Sequence, residues 1–525
     1  MKTQDSPAGR PAGPPTVDER DFHALVSCRA AEAVRLASFL RARAAEAPVF
    51  ARPLLGELLH QATELEELLD AYGARYNERW HAFRSIMAAG KLFASVNYEL
   101  LHVQHSAVGY RLLPVEGDFA AATEQAIRFT GRVIGEVAAR LLRQAERLGL
   151  DVPGRERRTD RYEERLPRGR LPRDRAGCRH VDAGQTVTYL ATAFLNLAAE
   201  SDMLHAAARS RPEDYAQCIP KLVSEEKLRR LQHRFHSLQS TYDTFVLDSD
   251  TEQHNAGLPV LRGHISVIYH LLATATAFAH YYERHVTAAA QAVEAGEAPF
   301  VTADGLLDVL MNYSLVYASR YLVAARELCQ AMLRQYAEID RVEVPGPRYR
   351  GFHVRPSTLV ARIVRHYGSD VSLEINGDSY DAANPMDTFR ANEKINAQKR
   401  RWLTLEVCSL PAVKAGKFSA DLAREARSAV MALAEAGKVV IYERQLPIQG
   451  PEESAEPRPP LQYLLDEVSR LQATGVIDIE TDIRVKFVGD RRVLADLKLL
   501  AEHGYGEDNF GNNVPLPPEL SYLRR

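Results

Sequence analysis

The sequence predicts a multidomain protein: a mainly α-helical bundle as its N-terminal region, a smaller α/β region after it, and a small α/β tail. Three observations lead there. Apolar residues recur at three- and four-residue spacing over most of residues 19–150 and again from about 183 to about 336, which is the period of a buried helical face. After residue 343 that pattern gives way to short helices alternating with runs of strand spacing. Stretches rich in Pro, Gly or charge separate the blocks, at 1–18, 151–180 and 447–460.

Taken in order, residues 1–18 are rich in Pro and Gly with little to bury and read as a disordered tail. Residues 19–150 form the first helical block. Leu54, Leu58, Leu59, Ala62 and Leu65 make one stripe, and Ile127, Val133, Ile134, Val137 and Leu141 another. Residues 155–179 hold ten arginines against five acids. With Tyr162 as the one aromatic they lack the stacking rings of a nucleic-acid-binding arm and read as a solvated linker. Helical spacing resumes over 181–342, broken by Pro212, Pro220, Pro259 and Pro299, which gives about four long helices packed with the first block as one bundle.

The stretch at 351–358, GFHVRPST, carries chemistry that can be named. Proline suits the first turn of a helix, because its missing N–H would have no partner there. Leu359, Val360, Ile363 and Val364 then fall on one stripe. His353 is thereby placed at or beside the N-cap, where free backbone N–H groups and the positive end of the helix dipole favour an anion. Arg355 adds a fixed cation. The spacing suits a phosphate carried on the imidazole.

This stretch resembles the signature of HPr, the histidine phosphocarrier family of the bacterial sugar phosphotransferase system, G-L-H-A-R-P followed by Ala or Ser and a small residue. The similarity continues over about 343–446: helix to Tyr367, strand 371–375, turn at Asn376-Gly377, short strand 379–382, polar helix, strand 402–408 and a last helix. It implies an open-faced α/β sandwich of four antiparallel strands and three helices. It also implies that His353 takes a phosphoryl group from an enzyme I-like donor and passes it to a protein acceptor. Arg355 and the amides of Val354 and Arg355 would hold the phosphate. Where many family members carry a regulatory serine this chain has Asn384, which cannot be phosphorylated, and Met386 and Phe389 are left as docking apolars.

After the linker at 447–460, residues 461–525 read as a separate small tail. Leu461, Leu464, Leu465, Val468 and Leu471 make a helical stripe, Ile483, Val485 and Phe487 alternate as a strand, 493–502 is helical, and 506–525 is an extended arm.

The remaining patterns point less far. Glu99 and His102 have the i,i+3 spacing of a di-iron carboxylate helix, but His280 and Glu283 run in reverse order, and no metal site is expected. His264, His270, His280 and His285 do not hold one helical face. Ala89-Gly90-Lys91 lies in a helical pattern without the flanking residues of a phosphate loop. Five scattered cysteines and a net charge of −3 indicate neither disulfides nor nucleic acid. No run is long and apolar enough to span a membrane, and a cytoplasmic location is expected. No cofactor is called for. The expected function is thus a phosphocarrier or phosphorylation-dependent regulator rather than a self-contained enzyme. The alternatives are an HPr-like docking module that carries no phosphate, or a helical-bundle ligand or metal protein regulated by it. The oligomeric state is open.

Overall fold

The computed structural model describes residues 16–150, 162, 164, 182–287, 299–443, 445–450, 459–479 and 483–523. The long helices and the strands run in the order α1 (Glu19–Glu46), α2 (Arg52–Ala71), α3 (His81–Ser106), α4 (Phe119–Leu148), α5 (Ala183–Glu200), α6 (Glu225–Phe245), α7 (Gly257–Tyr281) and α8 (Val316–Gln335). There follow β1 (Ile339–Pro345), α9 (Val354–Tyr367), β2 (Val371–Ile375), β3 (Asp378–Asp381), α10 (Pro385–Ser409), α11 (Leu422–Glu435), β4 (Val439–Ile441), α12 (Pro460–Ala473), β5 (Ile477–Ile479), β6 (Arg484–Asp490) and α13 (Arg491–Glu502).

Two compact units share the chain: residues 1–181 with 201–325, and 182–200 with 326–525. The named secondary-structure elements among the first unit's described residues are all helices. Asp18 and Asp118 cap α1 and α4 by accepting from the amides of Arg20 and Ala121, each satisfying an N–H that has no partner within its helix. Apart from Leu59, which is half-buried, the expected stripes are buried: Leu54, Leu58, Ala62 and Leu65 of α2, and Ile127, Val133, Ile134, Val137 and Leu141 of α4. Most of the Arg-rich segment, like the tail at 1–15, lies outside the described residues. Its two described residues are docked rather than free, Tyr162 buried beside the Phe39 ring and Glu164 paired with Arg52 at 3.0 Å. Among the described residues no helix is long and apolar enough to cross a membrane.

The second unit begins with α5, which the sequence assigns to the helical bundle, and takes the last ten residues of α8 as well. Its main sheet is wholly antiparallel, in the order β1–β6–β2–β3. Val371, Leu373 and Ile375 of β2 and Val485 and Phe487 of β6 are buried on one face. On the other face Glu374 and Lys486, directly opposite in the register, pair at 2.7 Å. That is the alternation expected of a sheet with one covered side. Helices α10 and α13 pack on the sheet and α9 packs against both.

Three boundaries differ from expectation. The strand expected over 402–408 is the end of α10. Its Leu403, Leu405 and Val407 alternate, but Leu403 and Val407 are buried while Leu405 is 67% exposed, so the period in force is four and not two. The α/β region does not close at 446. Residues 410–479 form an insertion in which α11, α12, the β4–β5 pair and the end of α10 enclose a core of their own, including Val430, Leu464, Val468, Leu471 and Ile477. Leu446, expected to end the α/β region, belongs to that core, and Ile448, expected in a linker, packs against it. Most of that linker, 451–458, lies outside the described residues. Finally, 461–525 is no separate tail: β6 is a central strand hydrogen-bonded to both β1 and β2. Helix α10 spans both cores, with Ala391 and Ile395 towards the sheet and Leu403 and Val407 in the insertion. Near its middle Lys399 forms a buried 2.6 Å ion pair with Asp478 of β5.

Candidate functional site

The 351–358 stretch is a turn leading into α9, shaped by two consecutive residues with left-handed backbone, Arg350 (φ 53°) and Gly351 (φ 64°). A side chain at 351 would stand 2.1 Å from Asn392 Oδ1, so glycine is required there for space as well as for conformation. Asn392 of α10, itself buried, clips the turn from both sides. Its Oδ1 accepts from the Phe352 amide (3.0 Å) and its Nδ2 donates to the Arg350 carbonyl (3.1 Å). Phe352 is fully buried, edge-on to Tyr505, and Ser357 Oγ donates to its carbonyl at 2.9 Å.

His353 stands at the N-cap of α9 with extended backbone, and its side chain makes no capping bond. Helix geometry leaves the Val354 and Arg355 N–H groups without intrahelical acceptors, and Pro356 has none to leave. The imidazole is instead engaged from the far end of the chain: its Nε2 lies 2.7 Å from Glu507 Oε1. The second oxygen of Glu507 accepts from Arg355 Nη1 at 3.5 Å, and the same nitrogen reaches the Gly511 carbonyl at 3.3 Å. The Glu507 side chain is 2% exposed, against 26% for His353 and 39% for Arg355. A carboxylate so buried requires partners, and here they are the two residues singled out by the sequence motif. Tyr349 stands edge-on to His353 (5.6 Å) and to Tyr442 of the insertion (4.9 Å). Arg350 donates to the Gly475 carbonyl, also in the insertion.

Of the sequence-predicted residues, His353, Arg355 and the first-turn amides are therefore brought together. Asn384 is the N-cap of α10 and accepts from the Met386 amide at 3.0 Å. Met386 and Phe389 on the same helix are 64% and 42% exposed, and Val354 is 75% exposed. Glu507, Asn392, Tyr349 and Tyr442 were not singled out by the sequence. Glu507 lies 154 positions from His353 in a stretch expected to be an extended arm. Instead its loop is tied by the Val514 amide to the Gly506 carbonyl, by a bridge between Glu507 and Asn513, and by Asp508, which accepts from the Phe510 and Asn512 amides.

In the helical unit, Glu99 turns not to His102 but to His270 Nδ1 at 2.5 Å, and His102 lies against the His270 ring and the Tyr110 hydroxyl. Burial beside His270 holds the His102 pKa below the ordinary histidine value. His280 and Glu283 both serve Glu225, the first binding its carboxylate and the second accepting from its amide. Among the described residues no group of three His, Cys, Asp or Glu side chains could hold a metal ion. No family model matches the chain, nor does any curated protein or solved structure.

Proposed function

We propose that the chain is a phosphocarrier or phosphorylation-dependent regulator that accepts a phosphoryl group on His353 in a phosphotransferase-type relay. The observation that carries this reading is the imidazole at the N-cap of α9, next to the Arg355 guanidinium and to first-turn amides that helix geometry leaves without intrahelical acceptors. These are the donors that a phosphoryl group on that ring needs at one point. Further support comes from element order. The succession β1, α9, β2, β3, α10, β6, α13 has the four antiparallel strands and three helices that the resemblance to HPr implies, with the insertion between α10 and β6. The donor would be an enzyme I-like protein and the acceptor a second protein. The exposed Val354, Met386 and Phe389 would meet them.

The test is incubation of the full chain with phosphoenolpyruvate and the enzyme I of the same cell, read by intact mass at alkaline pH, where phosphohistidine survives. His353→Ala should abolish the added phosphate. Arg355→Lys keeps charge but loses the planar fork. Loss of a charge-assisted bond costs about 1.5–3 kcal/mol, so the phosphorylation rate of Arg355→Ala should fall about 10- to 100-fold. A native chain that gains no phosphate would sink the proposal.

One observation favours a second reading. His353 and Arg355 already hold an anion, Glu507, supplied by the chain itself. If that ion-pair trio is permanent, the second unit is a docking module that carries no phosphate, and the native chain stays unlabelled under every donor.

A further inference from the structure

We propose that Glu507 is the positioning residue that decides which ring nitrogen of His353 receives the phosphoryl group, an inference that rests on the phosphocarrier reading. Glu507 presents one oxygen to His353 Nε2 at 2.7 Å and the other towards Arg355 at 3.5 Å. A guanidinium can only donate, so the carboxylate is an acceptor on that side. An ionised carboxylate is an acceptor on the other side too. The imidazole hydrogen therefore sits on Nε2, and the ring lone pair is left on Nδ1. A second-neighbour carboxylate that fixes a histidine tautomer in this way is a known source of large rate effects, because the wrong tautomer has no lone pair to offer.

The carboxylate is held rigidly enough for that task. Its loop is closed at both ends by backbone bonds, from the Val514 amide to the Gly506 carbonyl and from the Asp508 amide to the Asn512 carbonyl. The loop is also fixed by Gly511 against the Tyr349 ring, where a side chain would come within 2.5 Å. Neither Glu507 oxygen can leave its partner without exposing a buried charge, so the orientation of the ring is set before any donor arrives.

In the transfer, the Nδ1 lone pair forms the new bond to phosphorus. The bond from phosphorus to the leaving group breaks, and its electron pair departs with that group. The group is the enolate oxygen of an enol phosphate, the nitrogen of a phosphorylated histidine on the donor protein, or ammonia from phosphoramidate, which takes up a solvent proton. The Nε2 proton stays on the ring throughout. The positive charge that the imidazole gains is opposed by Glu507, and Arg355, with Nη1 kept on Glu507, offers its other guanidinium N–H groups to the incoming phosphoryl oxygens.

The full chain is incubated with potassium phosphoramidate, the site is located by peptide mapping against His353→Ala, and the isomer is read by phosphorus-31 NMR of the alkali-unfolded product. Native protein should give the Nδ1 isomer alone. Glu507→Gln should label about 10- to 100-fold more slowly and admit the Nε2 isomer, since an amide can donate to the ring as well as accept from it. Glu507→Ala should do the same. Nε2 phosphate on the native chain would overturn the inference. So would unchanged isomer and rate in both variants, or faster labelling in either, which would make the carboxylate an obstruction. A native chain that takes phosphate at His353 from neither phosphoramidate nor a protein donor would overturn the carrier reading itself, and this inference with it.

Discussion

At the scale of single residues, the candidate site depends on Gly351 as much as on His353. The turn before α9 needs a left-handed residue at 351, and Asn392 fills the space a β-carbon would take. Asn392 cannot step aside without releasing the Phe352 amide and the Arg350 carbonyl, both of which it holds. Left-handed backbone costs alanine about 1–2 kcal/mol, and an orphaned buried donor costs about 1–3 kcal/mol more. Gly351→Ala should therefore destabilise the second unit by about 2–5 kcal/mol in denaturant unfolding and slow the proposed phosphorylation of His353. Unchanged stability would show that Asn392 is not the clamp it looks to be. The glycine and the histidine were legible in the sequence because they are neighbours in one motif. Asn392 and Glu507 were not, since nothing local ties an asparagine in a polar helix or a glutamate in a C-terminal loop to residue 353.

At the scale of the element, α9 carries a histidine at each end under opposite conditions. His353 at its N-cap is part-exposed, while His366 in its last turn lies under the Tyr522 ring (4.1 Å) and binds Asn196 Oδ1 at 2.9 Å. The C-terminal end of a helix favours the cation by about 0.3–1 kcal/mol. Burial, together with the Arg326 charge, outweighs it and pushes the His366 pKa down to about 4. The folded chain then refuses a proton that the unfolded chain accepts. The stability due to His366 is complete above pH 6.5 and is lost as pH falls towards 4, by up to about 3 kcal/mol. Nearby Asp496, bonded by the Tyr367 and Tyr522 hydroxyls, has its carboxyl pushed up by burial. It acts in the opposite sense, giving up stability as pH rises. His366→Gln keeps a donor for Asn196 and removes the titration. Its unfolding midpoint should vary less between pH 6.5 and 4 than that of the native chain, and equal slopes would remove His366 as the cause.

At the scale of the molecule, the second unit is interrupted twice: by the first unit, which separates α5 from the rest, and by the insertion, which separates α10 from β6. A chain ended at residue 446 lacks β6, and with it the hydrogen-bonding partner of both β1 and β2. It also lacks Phe487, fully buried, and the α13 face of Val493, Leu497 and Leu500. Such a fragment should not fold, whereas the sequence pattern alone would cut it out as a domain. A fragment of 344–446 with a dispersed amide spectrum and slow proteolysis would contradict this topology. The insertion meets the candidate site through Tyr442 and Gly475, so cutting between the two is not neutral for the turn that carries His353.

The sequence by itself determined what depends on neighbours along the chain. Periodicity within ten to twenty residues marked out most of the helices of both units, the strand β6 and the helix α13, the resemblance to HPr added β2, and a run of eight residues placed His353 and Arg355 at a helix N-terminus. Alternation misled at 402–408, where the burial of Leu403 and Val407 in one core chose between two periods that the residues alone allow. Only the tertiary structure decided which strand closes the sheet and which carboxylate faces the imidazole. Strand pairing is specified by complementary faces that meet after folding, and the β6 pattern is as compatible with a small tail as with a central strand. A contact such as Glu507 with His353, 154 positions apart, leaves no periodic trace in either segment, because it comes from where two loops are delivered and not from how either is built.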